Sequence, residues 1–133
     1  FEALAETIVP GAAEAGVAHY VDAQFVAKSP KFILRSLDFP APPGDFYRGS
    51  IAALNGLSQT RHAGRFEELT AEQRAGLLVE LMQGNPVGWE GPPAGFFYFI
   101  ARNDAIDAYY GTPEGFARLE IPYMAHITPP EGW

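Results

Sequence analysis

The 133-residue chain contains no cysteine. That absence excludes a disulfide framework, a thiolate zinc site, an iron–sulfur cluster and a covalently attached c-type haem. It leaves the compartment open, since a cysteine-free domain suits cytosol and periplasm alike. Basic residues are also scarce: nine Lys and Arg stand against sixteen Asp and Glu, a net charge of −7. An acidic surface repels phosphate backbones and anionic lipid headgroups, which argues against nucleic-acid or membrane-surface binding. Long apolar runs are missing too. A bilayer crossing takes roughly 18 to 20 apolar residues, whereas the longest run here, Ala94 to Ala101, is short and interrupted by Gly95. It reads as core, with no direct membrane insertion. The chain opens on Phe1 rather than Met, which fits removal of an upstream segment, a signal peptide or a trimmed end being the two candidates.

What is present is apolar and aromatic in amounts that close a real core, 47% and 14% of residues. The length suits one domain, taken as 1–133, with a helical body over 1–120 and a tail over 121–133. Proline sets the divisions, because inside a helix it costs about 3 kcal/mol and the gaps between proline clusters are helix-sized. Leu4 and Ile8 stack in a short opening helix. Between Pro10 and Pro30, Val17, Tyr20, Val21 and Phe25 fall on one helical face. Asp45 reads as the N-cap of the next helix, with Tyr47, Ile51, Leu54 and Ser58 down one stripe. Thr70 and Gln73 have the spacing of a reciprocal capping box, and Leu77, Leu78, Leu81 and Met82 follow on one side until Gly84. From Pro93 a further helix carries Phe96, Phe99, Ile100, Ile106 and Tyr110, stopped by Gly111. Thr112-Pro113-Glu114 opens a short last helix. Phe32 to Phe39 is ambiguous, and no stretch alternates like a strand. The expectation is an all-α single domain of about five or six short helices with an extended Pro-rich C-terminal tail.

The inventory of reactive groups is thin. His19, His62 and His126 lie on separate elements and form no metal-ligand pair. His19 and Asp22 share a helical face, an arrangement that can orient an imidazole, but no third group converges on them and a surface hydrogen bond is the simpler reading. Asp104 and Asp107 also share a face. Paired carboxylates bind metal or divide acid and base roles, yet without a Glu-x-x-His pattern they read as a solvated helix surface. The glycines make no dinucleotide or phosphate loop. Ser29, Ser36, Ser50 and Ser58 sit in no nucleophile elbow. No residue is assigned to catalysis, cofactor binding or metal ligation.

Several stretches in order resemble the family called gluconate 2-dehydrogenase subunit 3. They are Leu4-Ala5-Glu6-Thr7-Ile8-Val9-Pro10-Gly11, then Ala15-Gly16-Val17 and Tyr20-Val21-Asp22. Ala52-Ala53-Leu54-Asn55 follows, with Phe66 through Gln73, Leu77-Leu78, Phe96-Phe97 and finally Tyr110-Gly111. No single motif is specific; their succession is, and it spans almost the whole chain. The end departs from the family pattern, since Tyr109 to Glu114 leads to Ile121-Pro122-Tyr123 in place of a Gly-rich run.

The resemblance implies a non-catalytic accessory subunit without a cofactor of its own. Its partner would be a large FAD-dependent flavoprotein of the glucose–methanol–choline (GMC) type, often with a cytochrome c as third subunit. That partner would oxidise sugars, polyols, sugar acids or glycosides. The small subunit would support folding and export to the periplasm, with a twin-arginine signal upstream of Phe1. Two other readings stay open: a small ligand-binding bundle using His19, Asp22 and the aromatic helix, and a free-standing helical adaptor with an unrelated partner. The expected docking residues are Tyr123, Met124, His126, Ile127 and Trp133 on the tail, and Trp89 in the irregular stretch before Gly95. Pro122, Pro129 and Pro130 favour an extended arm, and Trp, Tyr and Met are enriched at interface centres; the alternative is a tail that folds back over its own helices and completes the core.

Overall fold

The structure, a computed structural model, describes residues 1–31 and 33–122. Among the described residues there are six α-helices and no strand: α1 (Glu2–Ile8), α2 (Val17–Val26), α3 (Pro43–His62), α4 (Ala71–Met82), α5 (Ala94–Tyr110) and α6 (Pro113–Arg118). Two 3-10 turns, Ile33–Ser36 and Phe66–Glu68, complete the set. The first lies in the ambiguous stretch, where Leu34 is buried. The all-α expectation therefore holds, and none of these helices is long and apolar enough to cross a membrane.

Local signals explain most helix ends. Thr70 Oγ1 accepts the Gln73 N–H at 3.2 Å while Gln73 Oε1 accepts the Thr70 N–H at 3.0 Å, the reciprocal box that its spacing predicts. Thr112 Oγ1 caps α6 by accepting the Gly115 N–H at 3.0 Å. Asn85 reaches forward to start α5, its Oδ1 accepting the Ala94 N–H at 2.7 Å. Asp45 is a correction. α3 starts earlier, with Pro42 at the N-cap and Pro43 in the first turn, because proline's fixed φ suits that turn and its missing N–H costs nothing there. Asp45 instead lies in the first turn and pairs with Arg48 at 2.6 Å.

α5 is the central helix, packed against all five others and the first 3-10 turn. Because it is covered on several sides, its sequence stripe needs correcting: Phe97, Ile100, Ala101, Asp104 and Ala105 are buried, while Phe99 is 45% exposed. A similar rotation puts Leu77, Leu78 and Leu81 inside and leaves Met82 58% exposed. Tyr20 and Phe25 stand partly out of α2, whose buried residues are Val17 and Val21. The core is dominated by edge-on aromatic contacts, with Phe46 touching Tyr47, Phe96, Phe97 and Phe39 at centroid distances of 5.8, 5.7, 6.1 and 5.0 Å. Such pairs add about 0.5–1.5 kcal/mol each beyond their buried area.

The connection from Gln83 to Pro93 is fastened down rather than loose. Arg61 at the end of α3 donates to Val87 O at 3.1 Å and pairs with Glu80 at 3.2 Å. Gly91 sits so close to α3 that a Cβ there would lie 2.7 Å from Ala53 Cβ. That approach brings Trp89 against Phe97, ring centroids 6.1 Å apart and nearly parallel.

Candidate functional site

The ionisable side chains divide into those engaged inside the fold and those facing solvent. Asp104 was expected on a solvated face with Asp107; it is instead buried, 3% exposed, whereas Asp107 is exposed. The cause is the wrapping of α5, which turns the Asp104 side toward α3 and the first 3-10 turn. Its Oδ2 accepts the Tyr47 hydroxyl at 2.6 Å, and its Oδ1 accepts the Ile33 N–H at 3.1 Å. Burial pushes the Asp104 carboxyl above the ordinary range, against the pull of these two hydrogen bonds. Burial first, and then the Asp104 charge, drives the Tyr47 hydroxyl well above its usual value. A carboxylate held this way ties three elements together, and burying it unpaired would be far more costly.

The other candidates from sequence do not converge. His19 and Asp22 both lie on the exposed face of α2, and no hydrogen bond between them is formed. His62 is exposed at the end of α3. Ser58 is buried and donates to Leu54 O at 2.8 Å, as a helix side chain bonding back one turn. Among the described residues no group of three or more His, Asp or Glu is arranged to hold a metal. Trp89 is half-buried, and its indole N–H donates to Pro92 O at 2.6 Å. Tyr123, Met124, His126, Ile127 and Trp133 lie outside the described residues.

Among the described residues, two adjoining hollows share Phe1, Ile51 and Asn55 and form a cleft of two lobes. One lobe, about 440 Å³, opens between α1, α3 and the second 3-10 turn, and is lined by three carboxylates (Glu2, Glu6, Glu67) and two guanidiniums (Arg65, Arg74). Most of these groups already have partners. Both Glu6 oxygens accept backbone N–H groups, Gly11 on one and Ala13 on the other, each at 2.9 Å. Those bonds hold the Glu6 carboxyl below its ordinary pKa and fasten the turn after α1. Glu67 pairs with Arg65 at 2.8 Å. Asn55 Oδ1 accepts the Phe66 N–H at 3.1 Å, fixing the second 3-10 turn to α3. The other lobe, about 460 Å³, lies between α2 and α3 and is mostly apolar, built on Val21, Tyr47 and Ile51 with Phe25 as a wall. Asp104 lines neither lobe.

The family model described as gluconate 2-dehydrogenase subunit 3 matches residues 1–126. The chain belongs to that family. No curated protein and no solved structure matches it. In this subunit-3 chain the stretches that carry the sequence resemblance meet around the cleft: Val21 and Asp22 come from α2, Ala52 and Asn55 from α3, and Phe66 from the second 3-10 turn. Sequence reasoning missed both the Tyr47–Asp104 pair and the cleft. The pair joins residues 57 positions apart, and the cleft exists only where three helices leave a gap, so neither has a local signal.

Proposed function

We propose that this chain is the non-catalytic small subunit of a dehydrogenase complex, docked on a large FAD-bearing flavoprotein of the GMC type. The family match over residues 1–126 is the observation that carries the reading. In this reading FAD and the oxidation of a sugar, polyol, sugar acid or glycoside belong to the large subunit, with a cytochrome c joining in some assemblies. The small subunit supports folding, stability and export of its partner to the periplasm, led by a twin-arginine signal upstream of Phe1. Tyr123, Met124, His126, Ile127 and Trp133 serve as a docking arm. The engagement of Asp104 and Tyr47 with each other and with the Ile33 backbone supports a structural role for the buried polar groups.

The test is co-expression with a co-encoded GMC-type flavoprotein, followed by size-exclusion chromatography and flavin quantification. The two chains are expected to co-elute, and the flavoprotein to lose FAD or solubility when expressed alone. Truncation after Pro122 is expected to weaken the complex while leaving the helical circular-dichroism signal in place. A flavoprotein that is fully loaded, exported and monodisperse without this chain would refute the proposal.

A further inference from the structure

The stretch Ile33–Phe39, between α2 and α3, lies across the aromatic core on few anchors. Leu34 is buried and Phe39 half-buried, while Arg35, Ser36, Leu37 and Asp38 are exposed. The Phe39 ring stacks on Phe96 at 5.3 Å and stands edge-on to Phe46 at 5.0 Å. On the other side of Phe96 the stack continues to Phe99, nearly parallel at 6.5 Å and 45% exposed. The remaining anchor is polar: the Ile33 N–H donates to Asp104 Oδ1 at 3.1 Å. Backbone held this lightly, with most of its side chains in water, belongs to the segments that open locally before the whole fold does.

What lies beneath this stretch makes its opening depend on pH. Asp104 is 3% exposed and joins no ion pair among the described residues. Its surroundings add no positive charge. Tyr47 on α3 donates a neutral hydrogen bond, Tyr20 on α2 is a neutral phenol, and Asp107 further along α5 is a like charge. Among the described residues α1, α4 and α6 bring no titratable group to it. The stretch's own cation, Arg35, is exposed and donates to Pro30 O at 2.9 Å. An ionised Asp104 is therefore a buried charge steadied by hydrogen bonds alone, and lifting the Ile33 backbone lets water reach it. A protonated Asp104 gains far less from water. Burial accordingly holds its carboxyl above the ordinary value.

We infer that Ile33–Phe39 is a pH-gated strap: it lies closed over α3 and α5 while Asp104 is protonated, and ionisation of Asp104 favours its opening, which uncovers Phe46 and Phe96 beside the exposed Phe99. The sign follows from linkage. The closed state binds the proton more tightly than the open one, so closure is strongest below the ordinary carboxylate value and weakens as pH rises through the closed-state pKa. The strap thereby sets how much aromatic surface the chain presents, whatever its partner.

Amide hydrogen exchange of the full chain, followed by NMR from pH 4 to 7 and corrected for intrinsic exchange rates, reads this opening. The Ile33 N–H is expected to open at least about threefold more at pH 7 than at pH 4, since one unit of pKa difference between closed and open states is worth tenfold. Leu57 and Ile100, fully buried on α3 and α5, should stay better protected at every pH. In Asp104→Asn the Ile33 opening should no longer vary with pH. Phe39→Ala should raise it at least about threefold across the range while the core amides hold. An Ile33 opening that is constant with pH in the wild type, or that keeps its pH dependence in Asp104→Asn, would overturn the gate. Exchange of Ile33 in step with Leu57 and Ile100 would overturn the strap, because the stretch would then open only with the whole fold. An opening unmoved by Phe39→Ala would equally overturn it as one unit. Where a variant fails to fold, the two wild-type outcomes decide the matter.

Discussion

Removing the Tyr47 hydroxyl isolates the strongest polar interaction in the core. Tyr47 and Asp104 are each 3% exposed, and the O–H···O contact is 2.6 Å. Tyr47→Phe keeps the ring and its edge contacts with Phe1, Phe46 and Phe97, so packing changes little and the loss is electrostatic. Asp104 retains the Ile33 N–H on one oxygen and loses its donor on the other. A hydrogen bond to a charged group contributes about 1.5–3 kcal/mol, and a loss in the upper half of that range, about 2–3 kcal/mol, is expected because the acceptor is left buried. Unfolding entropy of about 2.1 cal/mol/K per residue converts this into a fall in Tm of about 7–11 °C for a chain of this length. The assay is urea denaturation followed by circular dichroism, run as a double-mutant cycle with Asp104→Asn. The asparagine is neutral; its carbonyl accepts from Ile33 and its amide donates to the Tyr47 oxygen, so its own cost is expected to be small, about 1 kcal/mol. Coupling of at least about 1 kcal/mol is expected between the two sites. A Tyr47→Phe loss below about 0.5 kcal/mol, or additive effects, would refute the clamp.

Two further outcomes follow from other contacts. Burial raises the Asp104 carboxyl above its ordinary value of 3.8, so the folded chain holds this proton more tightly than the unfolded one, and its contribution to stability is greatest below that value and is lost as pH rises through the folded-state pKa. Urea midpoints measured from pH 4 to 7 should therefore show Asp104→Asn gaining on the wild type as pH rises; a constant difference would contradict the linkage. Gly91→Ala would place a methyl 2.7 Å from Ala53 Cβ and 3.3 Å from Gly49 O. It should lift the connection off α3, cost about 1–3 kcal/mol, and red-shift Trp89 fluorescence in a Trp133→Phe background. An unshifted spectrum would show that the connection accommodates the methyl.

The helical class was legible because its signals are local. Proline spacing, the Thr70–Gln73 box and the Thr112-Pro113 start each act within one turn of chain, and each operates in the folded protein as its chemistry requires. The family resemblance was legible for a related reason, since it rests on the order of short motifs along the chain rather than on any contact between them.

Which face of each helix turns inward was less well determined by the chain itself. An α5 rich in aromatic residues on every side offers more than one apolar stripe, and the neighbours, not its periodicity, chose Phe97 over Phe99. The same packing buried Asp104, whose burial is tolerable only because Tyr47 and the Ile33 backbone arrive from distant parts of the chain with donors in place. The Asp45 start was misplaced for a smaller reason, a competition between an acidic cap and a proline already suited to the first turn. The cleft is the furthest from sequence, for a concave surface is the space that packed helices fail to fill. Sequence alone determined the helices and the family; the tertiary structure decided which side chains they bury and what surface they leave for a partner, because those are set by contacts between residues that the chain holds far apart.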